Sequence, residues 1–196
     1  MKDLMKKIKL RLCQSSSLYT GLFSVLYWLF TLVYLELLLH AVTFGTPGGS
    51  FGYVIGFSML FACLISALLL FLPPRARFAA ELVLTAFWIL LFGSQMVYFF
   101  IFGTMYSVAQ IGQGGEAVTS FFRETVATIW EHLPVILLLL LPIPVRCLLW
   151  QWRKGKESRS NGLWQALLVA VGVLAQLVCV WCLPIGGTDY FSNHYF

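Results

Sequence analysis

The sequence predicts an all-α fold: a polytopic membrane bundle of about five transmembrane helices, N-terminus inside and C-terminus outside, with an external amphipathic helix between spans three and four. Composition, apolar run length and the placement of Lys and Arg carry this reading. Of 196 residues, 60% are hydrophobic and 11% charged, whereas a soluble domain is roughly a quarter charged. No water-soluble core of this size could hide so much apolar surface. Bilayer hydrocarbon is about 30 Å thick, so a helical span needs roughly 20 apolar residues, and several runs reach that length.

The elements follow in chain order. Residues 1–17 hold Lys2, Lys6, Lys7, Lys9 and Arg11, with Leu4, Met5, Ile8 and Leu12 at helical spacing. They read either as a basic interfacial helix or as a positive cytoplasmic tail that only sets topology. The membrane domain covers 18–186. Its first span, 18–44, is too long for a signal-peptide core and has no small-residue cleavage site, so it is read as retained. An uncharged Gly/Pro turn leads to the second span, 51–72, which stops at Pro73 and Pro74. The third is 78–102.

In the external segment 103–132, Val118, Phe121, Phe122, Val126 and Ile129 share a helical face opposite Thr119, Arg123, Glu124 and Glu131. That spacing marks an amphipathic helix lying in the interface plane. The fourth run, 133–149, is short and carries Pro134, Pro142 and Pro144. The fifth, 162–184, is uninterrupted, and 187–196 reads as an external linker.

Charge decides whether the fourth run crosses. With five spans, the tail, the Arg75/Arg77 loop and the 146–159 loop share one side and hold every Lys and Arg except Arg123. Cytoplasmic loops are the ones enriched in these residues. A re-entrant fourth run would place Arg153, Lys154, Lys156 and Arg159 outside. The net charge of +5 is thus spread between apolar runs rather than gathered on one folded face, which argues against a nucleic-acid binder.

Within the spans, ionisable groups are the natural site candidates, because an unpaired charge at mid-bilayer is costly. Glu36 and His40 lie one helical turn apart in the outer third of the first span, either as a polar pocket for a headgroup or ion, or as a local pair linking helices. Glu81, one turn after Arg77, is explained by an i, i+4 pair. In the external segment, Arg123, Glu124 and His132 beside an apolar face form a candidate contact for lipid phosphates, or a solvated helix face. Cys179 and Cys182 make a CxxC without a second external pair, and the five cysteines read as small buried hydrophobes. No catalytic residue and no metal ligand is assigned, since no Gly-rich phosphate loop or HExxH occurs and the external carboxylates are scattered.

The stretch 98–122, YFFIFGTMYSVAQIGQGGEAVTSFF, runs from an aromatic third span through an extended piece into a helix, and an aromatic, Asn-containing tail closes the chain at 189–196. With the five-span order, these features resemble the N-terminal membrane domain of the lipoteichoic acid synthase family, phosphoglycerol transferases of the alkaline-phosphatase and sulfatase superfamily. The resemblance implies a multi-pass protein of a Gram-positive plasma membrane that holds an external catalytic domain beside phosphatidylglycerol. In that family the catalytic domain carries a Thr nucleophile and a divalent metal, usually manganese. It would follow residue 196, so no cofactor and no catalytic residue falls on this chain, which alone would not be an enzyme. Its partners would be membrane lipids and that C-terminal domain. Two other readings stand beside it: a small transporter or flippase-like protein using Glu36 and His40, and a noncatalytic membrane partner of an envelope enzyme.

Overall fold

The computed structural model describes residues 2–44, 51–105, 121–153 and 162–182, and every regular element among them is an α-helix. The elements are α1 (Lys2–Phe44), α2 (Phe51–Leu69), α3 (Pro74–Phe102), α4 (Phe122–Glu131), α5 (Leu133–Leu139), α6 (Pro142–Arg153) and α7 (Gly162–Cys182). Three stretches are long and apolar enough to cross a membrane: Tyr19–Thr43, Pro74–Phe102 and Leu133–Trp152. Shorter apolar helices run through Val54–Leu69 and Gln165–Trp181. The fourth run, the shortest of the sequence-derived spans, is therefore among the three long ones. The linker at 187–196 and most of the segment between the third span and α4 lie outside the described residues.

Helix ends differ from the sequence expectation for local reasons. The first span and the basic stretch before it form one helix, since nothing between Lys2 and Phe44 breaks the backbone ladder. Helix α2 tightens at its end, with Phe71 N–H on Leu68 O and Leu72 N–H on Leu69 O, before Pro73 removes the next donor. Helix α3 begins at Pro74, whose fixed φ suits a first helical position. It ends at Gly103, where a φ of 69° makes the left-handed cap and the amide donates to Phe99 O at 2.8 Å.

The chain divides into two compact units. The first comprises residues 1–33, 48–77 and 154–196, and its core is the packing of α2 against α7. A Cβ built on Gly56 would lie 2.8 Å from Cys179 Cβ, and one on Gly172 would lie 2.8 Å from Cys63 Cβ. Gly56 and Cys63, like Gly172 and Cys179, are seven residues apart, close to two helical turns. Each helix therefore presents a glycine notch and a cysteine knob on one face, and the antiparallel pairing sets each cysteine into the other's notch. Backbones approach closely at such small residues, the usual basis of helix association in lipid. Gly21 brings α1 in beside Leu70 and Leu168.

The second unit comprises residues 34–47 and 78–153. Leu35 and Leu39 of α1, Ile89, Phe92 and Met96 of α3, and Leu139 of α5 form its buried centre. The outward side of α3 carries Val83, Phe87 and Leu90, 69%, 56% and 72% exposed. A water-solvated surface rarely keeps such a continuous apolar stripe, whereas hydrocarbon solvates it without cost.

Candidate functional site

The sequence places Glu81 and Arg146 in different roles, one paired along its own helix and the other opening a cytoplasmic loop. In the structure both are buried, at 1% and 2% exposure, and they bind each other. Arg146 Nε donates to Glu81 Oε2 at 2.6 Å, and Nη2 donates to the same oxygen. The guanidinium also lies 5.4 Å from the Phe78 ring centre, and Phe78 stacks on Trp150. Glu81 thus joins α3 to α6, a link across 65 positions that the sequence reading did not include. Burial of two opposite charges in apolar surroundings requires such pairing. In the first unit, Arg77 is likewise buried and donates from Nε to Leu69 O, which also accepts from Leu72 N–H, and from Nη2 to Leu72 O, both at 3.2 Å, so it ties the start of α3 to the turn after α2.

The break between α5 and α6 follows from its prolines. Leu138 O has no i+4 donor because residue 142 is proline. Two groups replace it: Leu141 N–H at 3.0 Å and the hydroxyl of Tyr34, which donates from α1 at 2.8 Å. Broken backbone at membrane depth persists where neighbouring groups satisfy it in this way. Tyr34→Phe is expected to cost about 1 kcal/mol of unfolding free energy, measured by SDS titration in mixed micelles, since one hydrogen bond is lost and the ring remains. A variant as stable as the parent would show that Leu141 suffices.

Helix α4 and its C-cap carry the candidates Arg123, Glu124 and His132. It has no buried residue, and its outward side shows Phe122, Val126 and Trp130, with Trp130 70% exposed. Arg123 and Glu124 are exposed at its first turn, where a carboxylate suits the positive end of the helix dipole. His132 closes the helix. Its Nδ1 lies 3.1 Å from Thr128 O, which can only accept, so that nitrogen bears the proton. Its ring stacks on Phe100 of α3 at 3.8 Å between centres. His132 therefore sits at the α4–α5 junction in contact with α3, and Arg123 and Glu124 lie at the other end of α4.

Glu36 and His40 come together as the spacing predicts, with Oε1 and Nδ1 3.5 Å apart and side chains 32% and 25% exposed. His40 Nδ1 also approaches Glu36 O at 3.2 Å. The five sequence candidates thus occupy three places: a turn of α1, the first turn of α4, and the α4–α5 junction. Among the described residues no group of three His, Cys, Asp or Glu is placed to hold a metal ion.

One feature of this unit escaped the sequence reading. A partly open cavity of about 550 Å³ lies between α3, α4 and α5. Its walls are Ile89, Leu90, Gly93, Ser94, Val97, Tyr98, Ile101 and Phe102 of α3, Phe121 at the start of α4, Thr125 and Ile129 of α4, and Ile136, Leu139 and the adjoining Leu140 on the α5 side. Ser94 and Thr125 spend their hydroxyls on Leu91 O and Phe121 O of their own helical turns. The periodicity of 121, 125 and 129 on α4 and of 90, 93, 97 and 101 on α3 was present in the sequence, but nothing there says which faces meet.

Comparison of the chain with protein-family models, with curated proteins and with solved structures finds no match. The chain is all-helical among its described residues, and three helices long and apolar enough to cross a membrane suggest a membrane protein.

Proposed function

We propose that this chain is the membrane domain of an envelope enzyme of the lipoteichoic acid synthase type, which holds an external phosphoglycerol-transfer domain beside phosphatidylglycerol in the outer leaflet. The supporting observation is α4: a helix with no buried residue, apolar on its outward side, joined through His132 to the apolar stretch Leu133–Trp152. Such a helix lies in the plane of the interface and fixes the height of what is attached to the domain. The proposed topology has five spans, the N-terminus in the cytoplasm and the C-terminus outside, in the plasma membrane of a Gram-positive bacterium. Manganese or another divalent metal belongs to the external domain.

Topology and role are tested separately. Single cysteines at Gly48, Gly114 and Ser192 of a cysteine-free variant should react with an impermeant thiol reagent on intact cells, and cysteines at Ala76 and Ser158 should not. Labelling at Ser158 would overturn the five-span arrangement. Reading the gene past Phe196 tests the role: an appended domain with a Thr nucleophile and Asp/His metal ligands supports it. A stop codon there favours the transporter or partner-protein readings.

A further inference from the structure

We infer that the cavity between α3, α4 and α5 seats one acyl chain of an outer-leaflet glycerophospholipid. The inference rests on the membrane reading above. Its occupant follows from the walls, the length and the mouth of the cavity.

Most of the walls are aliphatic or aromatic, and Ser94 and Thr125 donate their hydroxyl protons to backbone carbonyls of their own turns, which leaves them only as acceptors. Water in such a space would have few partners, whereas a methylene chain loses nothing there. From Ile89 to Phe102 the cavity follows 13 residue steps of α3, about 20 Å of helix at 1.5 Å per residue. One leaflet of hydrocarbon is about 15 Å deep, so a single chain lying along α3 fits that length.

The mouth is continuous with the apolar side of the helices. Leu90 is 72% exposed and Leu140 41%, and both line the cavity while facing outward. A chain can therefore enter sideways from the bilayer. Its glycerol end would lie at the level of α4, because Phe121, Thr125 and Ile129 form the cavity wall on that side. At Gly93 the lining is tight: a Cβ there would lie 3.0 Å from Leu139 Cδ2, so α3 and α5 approach closely at this wall.

The test uses the full chain in vesicles of phosphatidylglycerol and phosphatidylcholine, doped with phosphatidylcholine that bears a diazirine on one acyl chain. After irradiation, adducts are mapped by mass spectrometry. They should concentrate on peptides containing Leu90, Val97 and Leu140, rather than on the equally exposed Val83. Ser94→Trp and Val97→Trp each fill the cavity and should lower those adducts about fivefold, because the added side-chain volume leaves no room for the chain. Val83→Trp, on the lipid-facing stripe, should change nothing at Leu90, Val97 and Leu140. Adducts spread evenly over Val83, Phe87 and Leu90, or unchanged in both filling variants, would overturn the inference. Cross-links from a photoreactive residue at Ser94 to a second copy of the chain would overturn it too, by placing a helix in the cavity. A failure of this kind leaves the anchoring role intact, which the gene sequence and surface labelling test without reference to the cavity.

Discussion

Arg146→Ala is expected to destabilise the protein by about 3–5 kcal/mol, because it takes the guanidinium away from a carboxylate that stays buried. Glu81 and Arg146 are 1% and 2% exposed, so neither end can turn to water without moving a helix. Glu81→Ala should cost a similar amount for the converse reason. The pair as a whole is a different matter. Replacing both at once, Glu81→Leu with Arg146→Met, removes two desolvated charges together and should restore most of the lost stability. SDS titration of the purified proteins in mixed micelles compares the parent, the two single variants and the double replacement. If Arg146→Ala unfolds at the parent's SDS fraction, the pair carries no structural weight. If the double variant is as unstable as the sum of the singles, the loss comes from packing around Phe78 and Trp150 rather than from the orphaned charge.

The second large effect concerns the α2–α7 seam. Gly172→Ala should cost about 1–3 kcal/mol, the usual cost of overpacking a close contact. The obstacle is Cys63 Cβ, 2.8 Å from the new methyl group, with Leu60 O at 3.5 Å. A Cβ is fixed to the backbone and no rotamer change moves it, so relief needs the helices to part. Gly56→Ala should behave alike against Cys179. The reciprocal arrangement makes a sharper expectation: Cys63→Gly should rescue Gly172→Ala but not Gly56→Ala, and Cys179→Gly should do the reverse. Coupling of about 0.5–3 kcal/mol within each matched pair, and none across pairs, is the expected pattern. Equal rescue by either cysteine variant would mean that the seam slides as a whole and that the notches are not specific.

The helices were legible in the sequence because hydrocarbon demands long apolar runs, and Tyr19–Thr43, Pro74–Phe102 and Leu133–Trp152 are such runs. The same holds for α4, whose period of three and four is local information. What the sequence concealed depends on contacts between distant segments. Glu81 has Arg77 four residues before it, and spacing alone makes that the natural partner. Its bond to Arg146 spans 65 positions. A clue was present: Arg146 follows directly on an apolar run, as Glu81 sits within another, and opposite charges in two buried helices call for each other. Assigning Arg146 to a basic loop hid it. Glu36 and His40, by contrast, were readable because both belong to one turn of α1. The cavity was not, because it exists only where three helices meet.

The broken fourth stretch also bears on how the chain enters its membrane. It carries a guanidinium and a carbonyl without its helical donor, two groups that hydrocarbon alone would reject. The side chains that meet them from other helices are synthesised earlier: Tyr34 lies 104 positions before Leu138, and Glu81 lies 65 before Arg146. At a translation rate of about 5–20 residues per second, Glu81 precedes its partner by roughly 3–13 seconds. The receiving surface on α1 and α3 can thus be in the bilayer when the proline-broken stretch leaves the ribosome. Its insertion then becomes a docking step onto upstream helices, and the order of synthesis spares it an exposed passage through lipid.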